Sequence, residues 1–306
     1  MAAPDQANHL RRECALRLVN EAHSLGGTQI SFGGGEPTSS PFFVELLNAA
    51  ISRHMAAEVY TSGVLRGENG ISSLSHDLIE SVMRLSALKF IFTFHGSKAE
   101  LHDYVAAYPG SFFSLINSIK RCLNAGITCE INFVPLRINA SSFRELVKLA
   151  ASFGIKRVNI LRFVAQGRGL RNRTALELNA QEEAAFIREL INLRSESNIE
   201  IRTGSPFNSI IPRNNIPCRA GWAKLVVQPN GNIIPCEVFK HQERCHWDLS
   251  VYKCSLRGAL ESPQLISLRQ LLIKTGGFSC PIHNAPKAFK HLEVNRGFSK
   301  SPLQTW

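Results

Sequence analysis

A regular alternation of β-strand and α-helix patterns along the first two thirds of the chain constrains its fold more than any other feature. Strand-like apolar runs lie at 28–32, 58–61, 89–94, 128–134 and 157–164, and amphipathic stretches separate them. Parallel strands need a long crossover, usually a helix, so strict alternation is typical of a parallel sheet covered by helices. We therefore predict an α/β fold in which residues 1–203 form part of a parallel (β/α) barrel.

The first helix indicates that this barrel lacks its first strand. Residues 9–25 have the spacing of an amphipathic helix, and Gly26 and Gly27 then lead into the strand at 28–32. A crossover helix normally follows a strand of its own sheet, yet no strand pattern precedes this one. The five strands therefore correspond to a TIM-like (β/α)6 partial barrel without its first strand. A short strand at 200–202 follows once the alternation has changed, and we assign it no place in the sheet.

The last third of the chain differs in composition and predicts a second, smaller domain. A loop rich in Pro, Asn and Ser at 203–217 places the boundary near Thr203. Residues 204–306 are β-rich and hold five of the eight cysteines. Within them, the segment AKLVVQPNGNIIPC predicts a β-hairpin in which Asn230 and Gly231 form a type I′ turn. Such a hairpin brings Cys236 back towards Cys218, as two ligands of one metal require.

Composition and charge exclude several classes of protein. Hydrophobic residues make up 44% of the chain, which is enough for a core and unlike a disordered or fibrous protein. No apolar run approaches the roughly 20 residues of a membrane span, and the N-terminal residues lack the apolar core of a signal peptide. We therefore expect a cytoplasmic protein without a membrane partner. The net charge of +11 suggests an acidic partner, but no zinc-finger or RNA-binding signature accompanies it, so nucleic acid is not the partner we expect.

Cysteines in the cytoplasm are usually free, metal-bound or catalytic rather than paired in disulfides. Cys14, Cys122 and Cys129 lie at apolar positions of helices or strands, and we predict that they belong to the core. His102 and Asp103 follow the strand at 89–94 and suggest acid–base chemistry, but we favour the start of a surface helix.

Small or polar residues follow each strand at its C-terminal end, where α/β barrels bind their ligands. The first of these segments, Gly33-Gly34-Gly35-Glu36-Pro37, is a glycine-rich turn whose backbone amides can approach a ligand closely. It is not a P-loop, because no Lys-Ser/Thr follows at the required spacing. Together these segments predict one binding site at the strand ends. The later ones are Tyr60-Thr61-Ser62-Gly63, Phe94-His95-Gly96, Asn132-Phe133-Val134-Pro135 and Gln166-Gly167-Arg168-Gly169.

The strand-end segments, in this order, resemble those of the radical S-adenosylmethionine superfamily over nearly the whole chain. "ISFGGGEPT" is similar to the family motif that binds the methionine part of the cofactor, which implies that role for Gly34, Gly35, Glu36 and Pro37. "VYTSG" resembles the family's Thr-Asn-Gly segment, with Ser62 where Asn is common, and implies cofactor contacts of Thr61, Ser62 and Gly63. "FTFHG" places His95 where the family usually has Asp or Ser near the ribose. "INFVPLRIN" and "LRFVAQGRG" resemble the strands that line the adenosine, and imply that Asn132 and Arg168 lie there.

This resemblance implies an activity and its requirements. Members of the family reduce S-adenosylmethionine at a [4Fe–4S] cluster, and the resulting 5′-deoxyadenosyl radical abstracts hydrogen from a substrate. An electron donor is therefore implied as a partner. Relatives with a cysteine-containing extension often modify ribosomally made peptides or act on other enzymes, so the implied substrate is a peptide or protein.

One departure from the family pattern concerns the reactive centre. The family holds its catalytic cluster with CxxxCxxC after the first strand, but this sequence contains no CxxxCxxC, and Cys14 is its only early cysteine. Three thiolates are needed, so the catalytic cluster is expected only in a full-length form. Either the N-terminus is truncated, which the absent strand favours, or the chain is a relative that has lost the reaction and binds S-adenosylmethionine or peptide without turnover.

The spacing of Cys218, Gly231 and Cys236 resembles the opening of the SPASM or twitch extension, which holds auxiliary iron–sulfur clusters. The shortened set implies at most one auxiliary cluster, with Cys218, Cys236 and Cys280 as ligands. Cys254, Cys245 and His283 compete for the fourth position. A structural zinc site, in a zinc-containing binding protein, is the alternative because thiolates with a histidine also suit zinc.

Overall fold

The computed structural model describes residues 10–68, 70–239, 253–274 and 280. Its strands are β1 (Gln29–Phe32), β2 (Ala56–Thr61), β3 (Val64–Gly67), β4 (Gly70–Ser73), β5 (Leu88–Phe94), β6 (Thr128–Phe133), β7 (Arg157–Ile160), β8 (Glu200–Thr203), β9 (Val226–Val227) and β10 (Ile233–Ile234). Its α-helices are α1 (Arg12–Ser24), α2 (Phe43–Ile51), α3 (His76–Val82), α4 (Ala99–Ala106), α5 (Ser111–Asn124), α6 (Phe143–Ser152), α7 (Arg168–Arg171), α8 (Arg173–Leu176), α9 (Ala180–Glu196), α10 (Leu256–Leu260) and α11 (Pro263–Lys274).

Six parallel strands form one sheet in the order β1-β2-β5-β6-β7-β8, which confirms the predicted α/β fold and partial barrel. All five predicted strands are present in this sheet, although β7 ends at Ile160 rather than Val164. The short strand that had no assigned place is β8, and it pairs in parallel with β7. Within the described part of the chain, no strand pairs with the outer edge of β1.

The two faces of the sheet differ in polarity. One face carries the large apolar side chains of β5 and β6, and Phe90, Phe92, Phe94 and Phe133 are fully buried there. Helix residues such as Leu115 and Ile119 of α5 join the same core. The residues that alternate with these on the strands are mostly polar, so the second face resembles a binding surface more than a core.

A separate small core lies in the C-terminal part of the chain, around Ile233, Phe239, Leu265 and Leu268. The predicted hairpin is confirmed, because Val226 and Val227 pair antiparallel with Ile234 and Ile233. The predicted type I′ turn is wrong: Gly231 has a φ of +84°, Asn230 is not among the residues with positive φ, and the Gly231 amide donates to the Gln228 carbonyl. Pro229 fixes its own φ near −65°, which suits a turn over 228–231 that ends on a left-handed glycine.

The transition between the two cores lies later than the predicted boundary near Thr203. Phe207 and Ile211 are buried in the core of the sheet, whereas the C-terminal core begins at Ala220. Asn214 orders the intervening loop, because its side chain accepts from Thr203 Oγ1 at 2.7 Å and donates to Asn208 Oδ1 at 2.7 Å. These side-chain hydrogen bonds replace the backbone ladder that a strand or helix would provide.

A disulfide joins Cys14 of α1 to Cys254, which precedes α10. The prediction that Cys14 is simply a core thiol is therefore wrong in part: its side chain is buried but bonded. Cys122 and Cys129 are buried thiols, as predicted. Next to the disulfide, the Glu21 carboxylate accepts the backbone N–H groups of Leu256 and Arg257, each at 2.9 Å. Among the described helices, none has the length and apolar character needed to cross a membrane.

Candidate cofactor site

The Glu36 carboxylate connects the turn after β1 to the turn after β2. Thr61 Oγ1 donates to one carboxylate oxygen at 2.6 Å, and the Ser62 amide and hydroxyl donate to the other at 2.9 and 2.7 Å. Thr38 Oγ1, one turn further along the chain, donates to Glu36 at 2.6 Å. No lysine, arginine or histidine of the described residues forms an ion pair with Glu36, so its negative charge is held by neutral donors. The structure thus brings together three of the residues predicted from the strand-end motifs.

Glycines are required on both sides of this connection. Gly34 has a φ of +115°, a conformation that other residues avoid, and no atom lies within 4 Å of the Cβ position of Gly35. A Cβ at Gly63, whose φ is +68°, would lie 2.9 Å from Leu115 Cδ1. Ser118 of α5 donates to the Gly63 carbonyl at 2.6 Å and so fixes this turn against the helix. Gly34 and Gly35 are exposed, so their backbone is accessible to a ligand, whereas Pro37 is half-buried.

His95 follows β5 and packs beside His102, with the two ring centroids 5.3 Å apart. The His95 amide donates to Nδ1 of His102, while Nδ1 of His95 is buried without a hydrogen-bond partner among the described residues. Burial lowers the pKa of His95 to about 3, with a further effect of His102, and burial lowers the pKa of His102 to about 4. Both rings are therefore neutral near pH 7. Ser62, Thr93, His95 and His102 help to line a small cavity of about 30 Å³.

The prediction of a surface helix start at His102 and Asp103 is wrong. His102 is only 3% exposed and lies within α4. Asp103 accepts hydrogen bonds from the amides of Gly110 and Phe112 and from the Ser111 hydroxyl, which satisfies free donors at the beginning of α5. His102, which accepts from the His95 amide, and Asp103, which caps the beginning of α5, therefore have structural roles.

Asn132 and Arg168, the two residues predicted to line the adenosine, differ in their positions. Asn132 of β6 is 4% exposed, and its amide forms no hydrogen bond with any described residue. It lies in register with Thr93 of β5 and Asn159 of β7 on the polar face. Arg168 is exposed on α7, whereas Asn132 lies within the sheet. Asn132 is thus a polar side chain on the polar face of the sheet whose amide is not used in a hydrogen bond with another described residue.

The polar face of the sheet also carries a charge network that the sequence analysis missed. Lys89 Nζ lies 2.8 Å from a Glu58 oxygen and 3.1 Å from a Glu130 oxygen. Arg157 lies 2.7 Å from the same Glu130 oxygen, and Asn159 donates to the other at 3.0 Å. The signal was available: polar residues alternate along each strand, at a period of two, where a fully buried parallel strand is continuously apolar.

This network controls the protonation of its members. Burial opposes the charge on Glu130, but the hydrogen bonds from Asn159 and Lys89 and the nearby Arg157 hold its pKa below the ordinary value. Tyr60 lies on the same face and donates to Glu58 at 3.0 Å. Burial and the Glu58 charge raise the pKa of Tyr60, so its phenol stays protonated.

The C-terminal part of the chain faces this polar surface. Gln166, in the loop after β7, donates to the carbonyls of Glu237 and Val238, both at 3.2 Å. Lys224 and Glu237 form an ion pair at 2.7 Å. Burial lowers the pKa of Lys224, but Glu237 and, more weakly, Cys236 and Glu58 raise it above the ordinary value. The carboxylates of both parts of the chain therefore act on one ammonium group.

The predicted auxiliary metal ligands are only partly described. Cys218 and Cys236 are half-buried and pack against the same small core, and Cys280 is buried. The prediction of Cys254 as a candidate fourth ligand is wrong, because its sulfur is bonded to Cys14 and is not a free thiolate in this structure. Cys245 and His283 lie outside the described residues. No three His, Cys, Asp or Glu side chains within the described ranges are grouped to hold a metal ion.

Solved structures with this fold bind the cofactor that the motifs suggest. SuiB of Streptococcus suis bound to S-adenosylmethionine matches with a TM-score of 0.67 and 19% identity over 84% of this chain and 60% of its own. A structure titled native anSMEcpe with bound AdoMet matches with a TM-score of 0.64 and 15% identity over 84% of this chain and 73% of its own. At these identities the likeness concerns the fold. The strand-end motifs and the Glu36 connection therefore lie on a fold that these two S-adenosylmethionine-bound proteins share.

Among curated proteins, the chain is similar to PqqA peptide cyclases. That of Ruegeria pomeroyi is 29% identical over 244 residues, covering 77% of this chain and 62% of the relative. That of Methylocella silvestris is 28% identical over 228 residues, covering 72% of this chain and 58% of the relative. The chain thus spans less than two thirds of the length of these relatives. No protein-family model matches it.

Proposed function

We propose that this chain binds S-adenosylmethionine across the C-terminal ends of β1, β2, β5 and β6 and belongs to an enzyme that modifies a peptide or protein. The Glu36 connection carries the proposal, because it places an uncompensated carboxylate and open glycine backbone at one position. Relatives named PqqA peptide cyclase and the fold shared with SuiB, crystallised with its precursor peptide SuiA, support a peptide as the substrate.

The groups at the strand ends fit this cofactor in charge and hydrogen-bonding capacity. The amides of the Gly34–Gly35 turn suit a carboxylate, and the negative charge of Glu36 suits an ammonium or sulfonium group. The partnerless Nδ1 of His95 and the buried amide of Asn132 suit ribose hydroxyls and adenine nitrogens. When bound and reduced, S-adenosylmethionine supplies a carbon radical that abstracts hydrogen, while the residues of this chain position it and exclude water.

The described residues do not fit the catalytic [4Fe–4S] cluster. Three thiolates are required, but Cys14, the only cysteine near the first strand, is in a disulfide, and no group of three ligands is present in the described ranges. We derive no step through that cluster. The same observation favours, as a second candidate function, binding of cofactor and peptide without turnover.

Three further elements belong to the proposal. An electron donor is the expected partner of a turning-over enzyme. Cys218, Cys236 and Cys280 are not grouped as three ligands in this structure, so an auxiliary iron–sulfur cluster at these cysteines is proposed only together with ligands from outside the described residues, such as Cys245 or His283. Metal analysis of anaerobically purified protein distinguishes such a cluster, as iron with sulfide, from zinc alone. A cytoplasmic location is proposed from the free thiols of Cys218 and Cys236, although the Cys14–Cys254 disulfide is of a kind that is rare in a reducing compartment.

Isothermal titration of the anaerobically purified chain with S-adenosylmethionine tests the proposed site. Glu36→Gln removes the charge and replaces one acceptor oxygen by a donor, so we expect roughly tenfold weaker binding or more. Glu45→Gln, which removes a surface carboxylate paired with Arg12, is the matched control and should bind like the unaltered chain. Absence of binding to the unaltered chain, or equal affinity of the Glu36 variant, would contradict the proposal. Once binding is confirmed, formation of 5′-deoxyadenosine under reducing conditions would indicate an enzyme, whereas its absence would indicate a protein that binds the cofactor without turnover.

A further inference from the structure

A second site candidate lies beside β8, at the edge of the sheet opposite β1, in an open groove of about 650 Å³. One wall is the last part of α9, and the other is the loop between β8 and the C-terminal core. The groove has an apolar base and walls with two cationic side chains, and no carboxylate lines it. Its lining residues are Ile191, Arg194, Ser195, Ile211, Pro212 and Arg213.

Arg194 is a half-buried cation without an anionic partner among the residues that the structure describes. Its Nε donates to the Ile201 carbonyl at 3.0 Å, and one terminal nitrogen donates to Thr203 Oγ1 at 2.7 Å. Both acceptors are neutral, and burial lowers the pKa of Arg194 with no opposing carboxylate. Its other terminal nitrogen has no partner among the described residues. A partly buried charge without a counter-charge favours binding of an anion.

Arg213 adds a second positive charge to the same groove. It is exposed, forms no ion pair with a described residue, and has a φ of +61°. This left-handed conformation costs a non-glycine residue of the order of 1 kcal/mol, and such strain is concentrated at functional positions. The adjacent Pro212 and the 42%-exposed Ile191 provide apolar surface beside the two cations.

We propose that this groove binds an acidic segment of the peptide substrate. A carboxylate of the peptide would pair with Arg194 and Arg213, and an adjacent aliphatic side chain would pack on Ile191 and Pro212. The proposal rests on the proposed function in taking the substrate to be a peptide. The net charge of +11 would favour encounter with an acidic peptide, and the aliphatic walls fit side chains better than a nucleic-acid backbone.

Fluorescence anisotropy with a synthetic peptide of alternating Glu and Leu, labelled at one end, tests the groove on the full chain. Arg213→Gly removes the charge and also relieves the left-handed strain, so the variant should keep its melting temperature while binding the peptide about five- to tenfold more weakly. Arg84→Gln, an exposed arginine just after α3, removes the same net charge elsewhere and should bind like the unaltered chain. Ile191→Glu should weaken binding by a similar factor through charge repulsion.

A matched peptide with Gln in place of Glu should bind weakly to all of these proteins. The proposal would be overturned by equal binding of the two peptides, by equal losses in Arg213→Gly and Arg84→Gln, or by displacement of the acidic peptide by single-stranded RNA at lower concentrations than by unlabelled peptide. S-adenosylmethionine affinity should be unchanged in Arg213→Gly. Loss of peptide binding in the anisotropy assay therefore tests the groove, and loss of S-adenosylmethionine binding tests the cofactor site, so the two proposals can fail independently.

Discussion

Two carboxylates, Glu36 and Glu130, organise the polar side of the sheet in different ways. Glu36 is held by hydroxyl and amide donors and keeps an uncompensated charge, as a site for a cationic ligand requires. Glu130 is 4% exposed and shares its charge with Lys89 and Arg157. Satisfied buried ion pairs of this type keep neighbouring strands in place but leave little charge for a ligand. We therefore propose ligand binding for Glu36 and a structural role for Glu130.

Replacement of Glu130 tests the structural role. Glu130→Gln removes a charged acceptor shared by Lys89 and Arg157 and leaves Lys89 with Glu58 and Arg157 with Glu200. The free energy of unfolding at pH 7 should therefore fall by about 2 kcal/mol. The pKa of Glu130 is below its ordinary value of 4.5, so its stabilisation is present above that pH and is lost as pH falls through the folded-state value. The difference between the two proteins in urea unfolding should therefore shrink in acid.

Glu145→Gln, which removes an exposed carboxylate paired with Lys148, is the control and should change stability by less than about 0.5 kcal/mol. Equal effects of the two substitutions, or a Glu130 effect that grows in acid, would show that the network does not stabilise the fold.

At the scale of elements, local sequence predicted most of the sheet but not its edges or turns. The five strands were identified from apolar runs, whereas β8 was not placed because its four residues carry polar side chains at Glu200 and Arg202. The hairpin over Val226–Ile234 was predicted from its pattern, but its turn type depends on Pro229. The Cys14–Cys254 bond was not predictable, because its cysteines are 240 residues apart and only the fold brings them together.

That disulfide, with the Glu21 contacts beside it, joins α1 to the C-terminal part of the chain. Because it closes a very long loop, its loss should lower the free energy of unfolding by about 2–4 kcal/mol. Cys14→Ser should therefore melt at a lower temperature than the unaltered chain without reductant. In reductant the two proteins should converge, and equal melting temperatures in both conditions would show that the bond does not form.

At the scale of the whole molecule, the proposed site combines the strand-end turns with the polar face of the sheet, which the C-terminal part of the chain contacts through Gln166. Its motif residues Glu36, Thr61, Ser62, His95 and Asn132 could be found from the sequence, because turns after strands are local features. Glu58, Lys89, Glu130 and Arg157 could not be recognised as a network, because their contacts depend on strand order and register. The auxiliary ligands remain a prediction, since two of the candidates lie outside the described residues.

The most direct measurement is a crystal structure of the chain grown anaerobically with S-adenosylmethionine. We predict that the cofactor lies across the ends of β1, β2, β5 and β6, with its methionine group against Gly34, Gly35 and Glu36 and with Asn132 in contact with its nucleoside. A cofactor bound elsewhere, or saturating cofactor that leaves these strand ends empty, would contradict the account.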